Sequence, residues 1–139
     1  MFSLFTSKPQ KPKSLGQLGE EFAQGEYKKL GYKIIAKNEY NKKGKRLGEI
    51  DFIAANNHRI IFVEVKTRTE GSERFGKGVE SVNIYKQQKI LRAVKMYFLH
   101  NQKYINLQPQ IDVCVLEYSG VDKSFKPATI IANAVEDWN

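Results

Sequence analysis

The order of helix and strand signals predicts one α/β domain, a mixed sheet flanked by helices. Three observations carry that expectation. Two long segments, 14–30 and 83–101, place apolar residues at helical spacing. Two β-type runs, 49–55 and 59–67, are joined by Asn56-Asn57-His58, a hairpin signal. The full order reads α-β-β-β-α-β-β, which suits a single layered domain better than alternating βαβ units. The length of 139 residues agrees. Domains commonly run roughly 100–150 residues, and one of this size buries about two thirds of its unfolded surface.

Residues 1–13 carry Lys8, Lys11 and Lys13 with Pro9 and Pro12 and show no periodicity. They read as a basic, weakly structured tail ahead of a domain over 14–139. Ser14-Leu15-Gly16-Gln17 is a capping-box pattern, with serine at the cap and glutamine three residues on. Leu15, Leu18, Phe22, Ala23 and Leu30 follow at helical spacing, and Gly31 supplies a stop. On a helical wheel Leu15, Leu18, Phe22 and Leu30 define the arc expected to be buried. Glu20 lies just off its edge and Glu26 falls inside it. Residues 32–38 read as a short strand, and Lys42, Lys43, Lys45 and Arg46 form a basic turn before the hairpin. A loop with Gly71, Gly76 and Gly78 leads to the second helix, whose stripe is Ile90, Ala93, Val94 and Tyr97. Residues 111–118 and 129–132 read as the last strands.

Composition narrows the function classes. A single cysteine, Cys114, excludes an intramolecular disulfide framework and any multi-cysteine zinc site; its place in mid-strand suggests core. No apolar run approaches the ~18 residues of a membrane helix. The start, Met1-Phe2-Ser3-Leu4-Phe5, is too short an apolar stretch for a signal peptide, so a cytoplasmic location is expected. His58 and His100 are not clustered with other ligands, and neither a Ser/His/Asp set nor a P-loop is present. The net charge is +8. Residues 1–103 hold 21 basic and 10 acidic side chains, and the remaining 36 hold 2 and 5. A basic balance concentrated in one part of the chain suits a polyanion, nucleic acid before an anionic membrane surface.

The chemistry is concentrated in the hairpin. Antiparallel pairing about the 56–58 turn sets Asp51 opposite Val63 or Glu64. Alternation sends Glu64 and Lys66 to one face of an otherwise apolar strand, with Val63 and Val65 on the other. An unpaired buried ion costs several kcal/mol. Either this strand is half exposed with Asp51 as a cross-strand partner, or Asp51 and Glu64 hold a hard divalent cation with Lys66 beside it.

Gly48-Glu49-Ile50-Asp51 followed by Phe62-Val63-Glu64-Val65-Lys66-Thr67-Arg68 resembles the PD-(D/E)XK nuclease signature, with Ile50 where the proline of that pattern stands. With Gly16, Gly19-Glu20, Ala23, Leu30-Gly31-Tyr32, Asn38 and Ile111-Asp112-Val113, the chain is similar to the YraN-like family of small bacterial proteins, which is related to Holliday-junction resolvases. The resemblance covers about residues 14–135. It implies a restriction-endonuclease-like core, α-β-β-β-α-β, with a mixed central sheet. It also implies a site in which Asp51, Glu64 and the Val65 carbonyl hold Mg²⁺ or Mn²⁺. Glu20, the first-helix acid, would act through water or on a second ion. Lys66 would position or deprotonate the attacking water.

The expected activity is therefore metal-dependent hydrolysis of phosphodiester bonds in DNA, with recognition of structure rather than sequence. Branched or junction DNA and a homodimer are implied by kinship alone. The alternative is a non-catalytic nucleic-acid-binding module that retains the fold. Lys42, Lys43, Lys45, Arg46, Arg68, Lys86, Lys89 and Arg92 are the expected backbone contacts. Lys86 is a special case, because it lies on the apolar stripe of its helix. It either snorkels past the helix start or sits over the carboxylates. For Asp112 a structural hydrogen-bonding role and a site role stand equal.

Overall fold

The computed structural model describes residues 11–38, 50–71 and 84–135. Helix α1 spans Leu15–Lys29 and α2 spans Ile84–His100. The strands are β1 (Lys33–Lys37), β2 (Phe52–Ala55), β3 (Arg59–Thr69), β4 (Gln108–Ser119), β5 (Ser124–Phe125) and β6 (Thr129–Ile131). One 3₁₀ turn, Gln102–Tyr104, follows α2.

Ser14 starts α1 as its sequence requires. Its hydroxyl accepts the Gln17 N–H at 3.1 Å, and the Gln17 side chain accepts the Ser14 N–H at 2.9 Å. Two orphan donors of the first turn are thereby satisfied. At the other end Gly31, at φ 94°, takes the left-handed turn that leads into β1.

The sheet runs β1-β2-β3-β4-β5, with β6 also pairing β4. The β2–β3 hairpin is antiparallel with Phe52 against Val63, while β3 and β4 are parallel along their length. A parallel pair needs a long crossover, and α2 lies within it. This is the expected mixed α/β sheet flanked by two helices.

β3 is buried on both faces from Ile60 to Val63, which is why its sequence is a continuous apolar run instead of an alternation. On one face Ala23 and Tyr27 of α1 meet Phe52, Ala54, Ile61, Val63, Cys114 and Leu116. On the other, Ile90 and Val94 of α2 meet Ile53, Ile60, Phe62 and Ile111. Among the described residues no helix is long and apolar enough to cross a membrane.

One expectation fails on α1. Leu18 and Leu30 are 38% and 62% exposed, and the buried positions are Gly19, Ala23, Gln24 and Tyr27. The helix is rotated from the arc that its leucines define. At Gly19 and Ala23 small residues let the helix axis approach the sheet, and Tyr27 fills the space beside them. Glu26 follows the same rotation; it is half-buried and pairs with Lys29 at 3.1 Å instead of serving a buried-acid role. The two-residue β5 and the 3₁₀ turn were not foreseen, being too short to show a period.

Candidate active site

β3 leaves its apolar stretch at Glu64, which is only 5% exposed. Alternation turns Glu64 and Lys66 to the α2 face. Glu64 Oε1 meets Lys66 Nζ at 3.3 Å and Lys86 Nζ, from the first turn of α2, at 2.5 Å. Lys86 thus lies over the carboxylate and does not snorkel away. Glu64 Oε2 is buried with no hydrogen-bond partner among the described residues. A buried acceptor left open costs about 1–3 kcal/mol, more when charged.

Asp51 stands immediately before β2. Its N–H donates to the Val63 carbonyl at 2.9 Å, and its carbonyl accepts the Asn38 N–H at 2.8 Å. The Asn38 side-chain amide donates to the Ile50 carbonyl at 2.9 Å. Backbone bonds from both neighbouring segments therefore fix this residue. Its Oδ2 accepts the Val65 N–H at 2.7 Å. The amide and the carboxylate of Asp51 consequently bracket Glu64, one contact on each side of it.

Glu20 closes the group, its carboxyl near enough to that of Asp51 to raise its pKa. It reaches there because α1 lies against β3 at Gly19. A Cβ at that position would stand 2.2 Å from Thr67 Oγ1. Glycine inside a helix costs roughly 1 kcal/mol against alanine, and this close approach is the reason for it here.

The electrostatics follow from burial. Desolvation pushes Asp51 up to about 7; the Val65 N–H opposes the shift, and the Glu20 and Glu64 carboxyls add to it. Burial, together with the neighbouring Lys86 ammonium, draws Lys66 below its ordinary range. Three carboxyls face two ammoniums, so the cluster is one positive charge short. That shortage of positive charge agrees with the upward shift at Asp51. Among the described residues, no three His, Cys, Asp or Glu side chains form a ready-made metal cage.

The other expected residues separate clearly. Lys89 is exposed and lies over the Tyr85 ring at 4.6 Å, and Arg92 is exposed on the same helix. Arg68 is half-buried; one guanidinium nitrogen donates to the Thr67 carbonyl at 3.1 Å, and its Nε is buried without a partner among the described residues. Lys42, Lys43, Lys45 and Arg46 lie outside the described residues. Asp112 is held by Tyr27, Gln110 and the Asn133 N–H, so its role is structural. A groove of about 640 Å³ lined by Lys33, Asn56, Asn57 and Tyr104 lies by the hairpin turn, at the start of β3 and away from these carboxyls. The positioning roles of Gly19 and Asn38 were missed at the level of sequence. A glycine interrupting a helical pattern was the available signal for the first; nothing local marks the second.

Fold and site define a mixed α/β protein in which the two helices and the β2–β3 hairpin bring three carboxyls and two lysines together around the buried Glu64 of the central strand. The chain belongs to the family described as "Uncharacterised protein family UPF0102", whose model matches residues 19–116 and so includes Glu20, Asp51, Glu64, Lys66 and Lys86. It is 42% identical over 101 residues to a UPF0102 protein of Caldanaerobacter subterraneus subsp. tengcongensis, covering 73% of this chain and 77% of that one. A UPF0102 protein of Alkaliphilus oremlandii is 46% identical over 90 residues, 65% of this chain and 72% of its own. One of Caldicellulosiruptor saccharolyticus is 38% identical over 122 residues, 88% and 97% of the two chains.

Proposed function

We propose that this protein is a metal-dependent nuclease of the PD-(D/E)XK type that hydrolyses phosphodiester bonds in DNA. The observation that carries the reading is the convergence of Glu20, Asp51, Glu64 and Lys66 around one point of β3 from three separate elements. The donor set suits Mg²⁺ or Mn²⁺. All its acceptors are hard oxygens, Glu64 Oε2 is open, and a proton at Asp51 is replaceable by a cation. Asp51 and Glu64 would hold the ion. The Val65 carbonyl projects to the same flank of β3 as its N–H, which already meets Asp51, and would complete the protein ligands. Glu20 would act beside Asp51. A bound divalent ion supplies charge neutralisation at a phosphoryl oxygen.

The chain's own residues do the rest. Lys66, with its ammonium weakened by burial, orients water and exchanges a proton with it. Asp51 cannot swing away, because both its backbone and its carboxylate are tied. Lys89, Arg92 and Arg68 supply positive charge to the DNA backbone, together with the 42–46 segment. Each phosphate so neutralised adds about −0.9 to the slope of log affinity against log salt.

The test is cleavage of linear duplex, single strand, flap and four-way junction with Mg²⁺ or Mn²⁺. Loss of all cutting in Asp51→Asn and Lys66→Ala, with DNA binding retained, is expected. Cutting that persists in both variants would dismiss the site. A second reading, a binding module without turnover, is favoured by the two lysines already neutralising Glu64. Salt-sensitive binding with no cutting in any metal would select it.

A further inference from the structure

We infer that Lys86 is a built-in cation that competes with the divalent metal for Glu64, and so sets the affinity of the site for metal. The inference rests on the reading above and goes beyond it, because it assigns Lys86 a positioning role in metal exchange.

The geometry is unequal in a telling way. Both ammoniums crowd Glu64 Oε1, at 3.3 Å from Lys66 and 2.5 Å from Lys86, while Oε2 has no hydrogen-bond partner among the described residues. Two like charges on one oxygen repel one another, so a divalent cation held by Glu64 and Asp51 would gain most by the release of one of them. Lys86 is the one able to leave. Its side chain is 23% exposed against 14% for Lys66. Lys66 sits on β3, hydrogen-bonded into the sheet beside β4 at Val115. Lys86 is the third residue of α2, ahead of the first buried position, Ile90. Its neighbours Ile84 and Tyr85 are largely exposed, so little packing holds that turn in place. Element ends with few buried contacts open at low cost. The exchange leaves Lys66 paired and turns one ammonium from the carboxylate toward solvent or substrate.

Titration calorimetry with Mg²⁺ and Mn²⁺ tests the inference on the intact chain. Lys86→Met is expected to bind metal about tenfold tighter than the natural chain, within the 5–150-fold range usual for coupled sites. Lys95→Met, which removes the same charge from an exposed position on α2, is expected to leave the affinity unchanged. A second measurement uses the natural chain alone: a pulse of an amine-reactive reagent, resolved by peptide mass spectrometry. Labelling of Lys86 relative to Lys95 is expected to rise several-fold with Mg²⁺. Metal binding that is equal or weaker in Lys86→Met, or labelling indifferent to metal, would overturn the competition and leave the nuclease reading standing. Failure of the natural chain and of Lys86→Met alike to bind either metal would overturn both.

Discussion

Two buried carboxylates on adjacent strands meet opposite fates. Asp112 on β4 is 1% exposed and fully engaged. Its Oδ2 accepts the Tyr27 hydroxyl at 2.7 Å, and its Oδ1 accepts the Gln110 amide at 2.8 Å and the Asn133 N–H at 3.2 Å. Gln110 is in turn held by Arg59 at 2.7 Å. This chain of bonds ties α1, β3, β4 and the segment after β6 together. Glu64 on β3 is nearly as buried, yet one of its oxygens is overcrowded and the other bare. Burial therefore does not mark a site; the state of satisfaction does. A satisfied network rigidifies the fold, and a partly satisfied one leaves chemistry available.

The sharpest way to break the comparison is Asp112→Ala, which strands the Tyr27 hydroxyl and the Gln110 amide in the interior. A loss of about 3 kcal/mol is expected in denaturant unfolding. A loss near zero would make the network ornamental. Gly19→Ala should cost about 2 kcal/mol, because the new methyl meets a stiff β-branched Thr67 and pushes α1 off β3. Pairing it with Thr67→Ser, which keeps the hydroxyl free to rotate, should recover part of that loss; no recovery would place the strain elsewhere. Tyr27→Phe removes one hydrogen bond and leaves Asp112 two donors, so a loss of about 1–2 kcal/mol is expected from the same unfolding curves.

A pH effect sharpens the contrast on the side of the site. Asp51 is raised to about 7 from its ordinary 3.8. Between those values the folded protein keeps a proton that the unfolded chain has lost, so stability falls as pH rises across that window. Above about 7 both states are ionised and the penalty is complete. Thermal melts from pH 4 to 8 should show this slope in the natural chain and a flatter one in Asp51→Asn. Parallel curves would mean that Asp51 titrates normally. Metal affinity should rise over the same range, because the cation displaces the proton.

Much of this was readable before any coordinates. The capping box at Ser14, the hairpin at 56–58 and the alternation that puts Glu64 and Lys66 on one face are local, and local sequence fixes them. The expected place of Asp51 opposite Val63 or Glu64 agrees with its bonds to Val63 and Val65. The buried arc of α1 differs from the wheel's, because a wheel ranks residues by apolarity while contact with a sheet selects for close approach. Gly19 and Ala23 permit that approach; Leu18 and Leu30 do not have to be covered.

The sequence by itself determined the order of elements, the mixed α/β class and the membership of Asp51, Glu64 and Lys66 in one hairpin. Tertiary structure alone decided that Lys86 reaches Glu64 from 22 residues away, that Glu20 comes near Asp51, and that Asp112 is structural. The reason is physical. Periodicity and turn chemistry act over a few residues. The protonation and pairing of a buried carboxyl depend on which groups the packing of helices against the sheet brings within about 3 Å, and no local pattern encodes that distance.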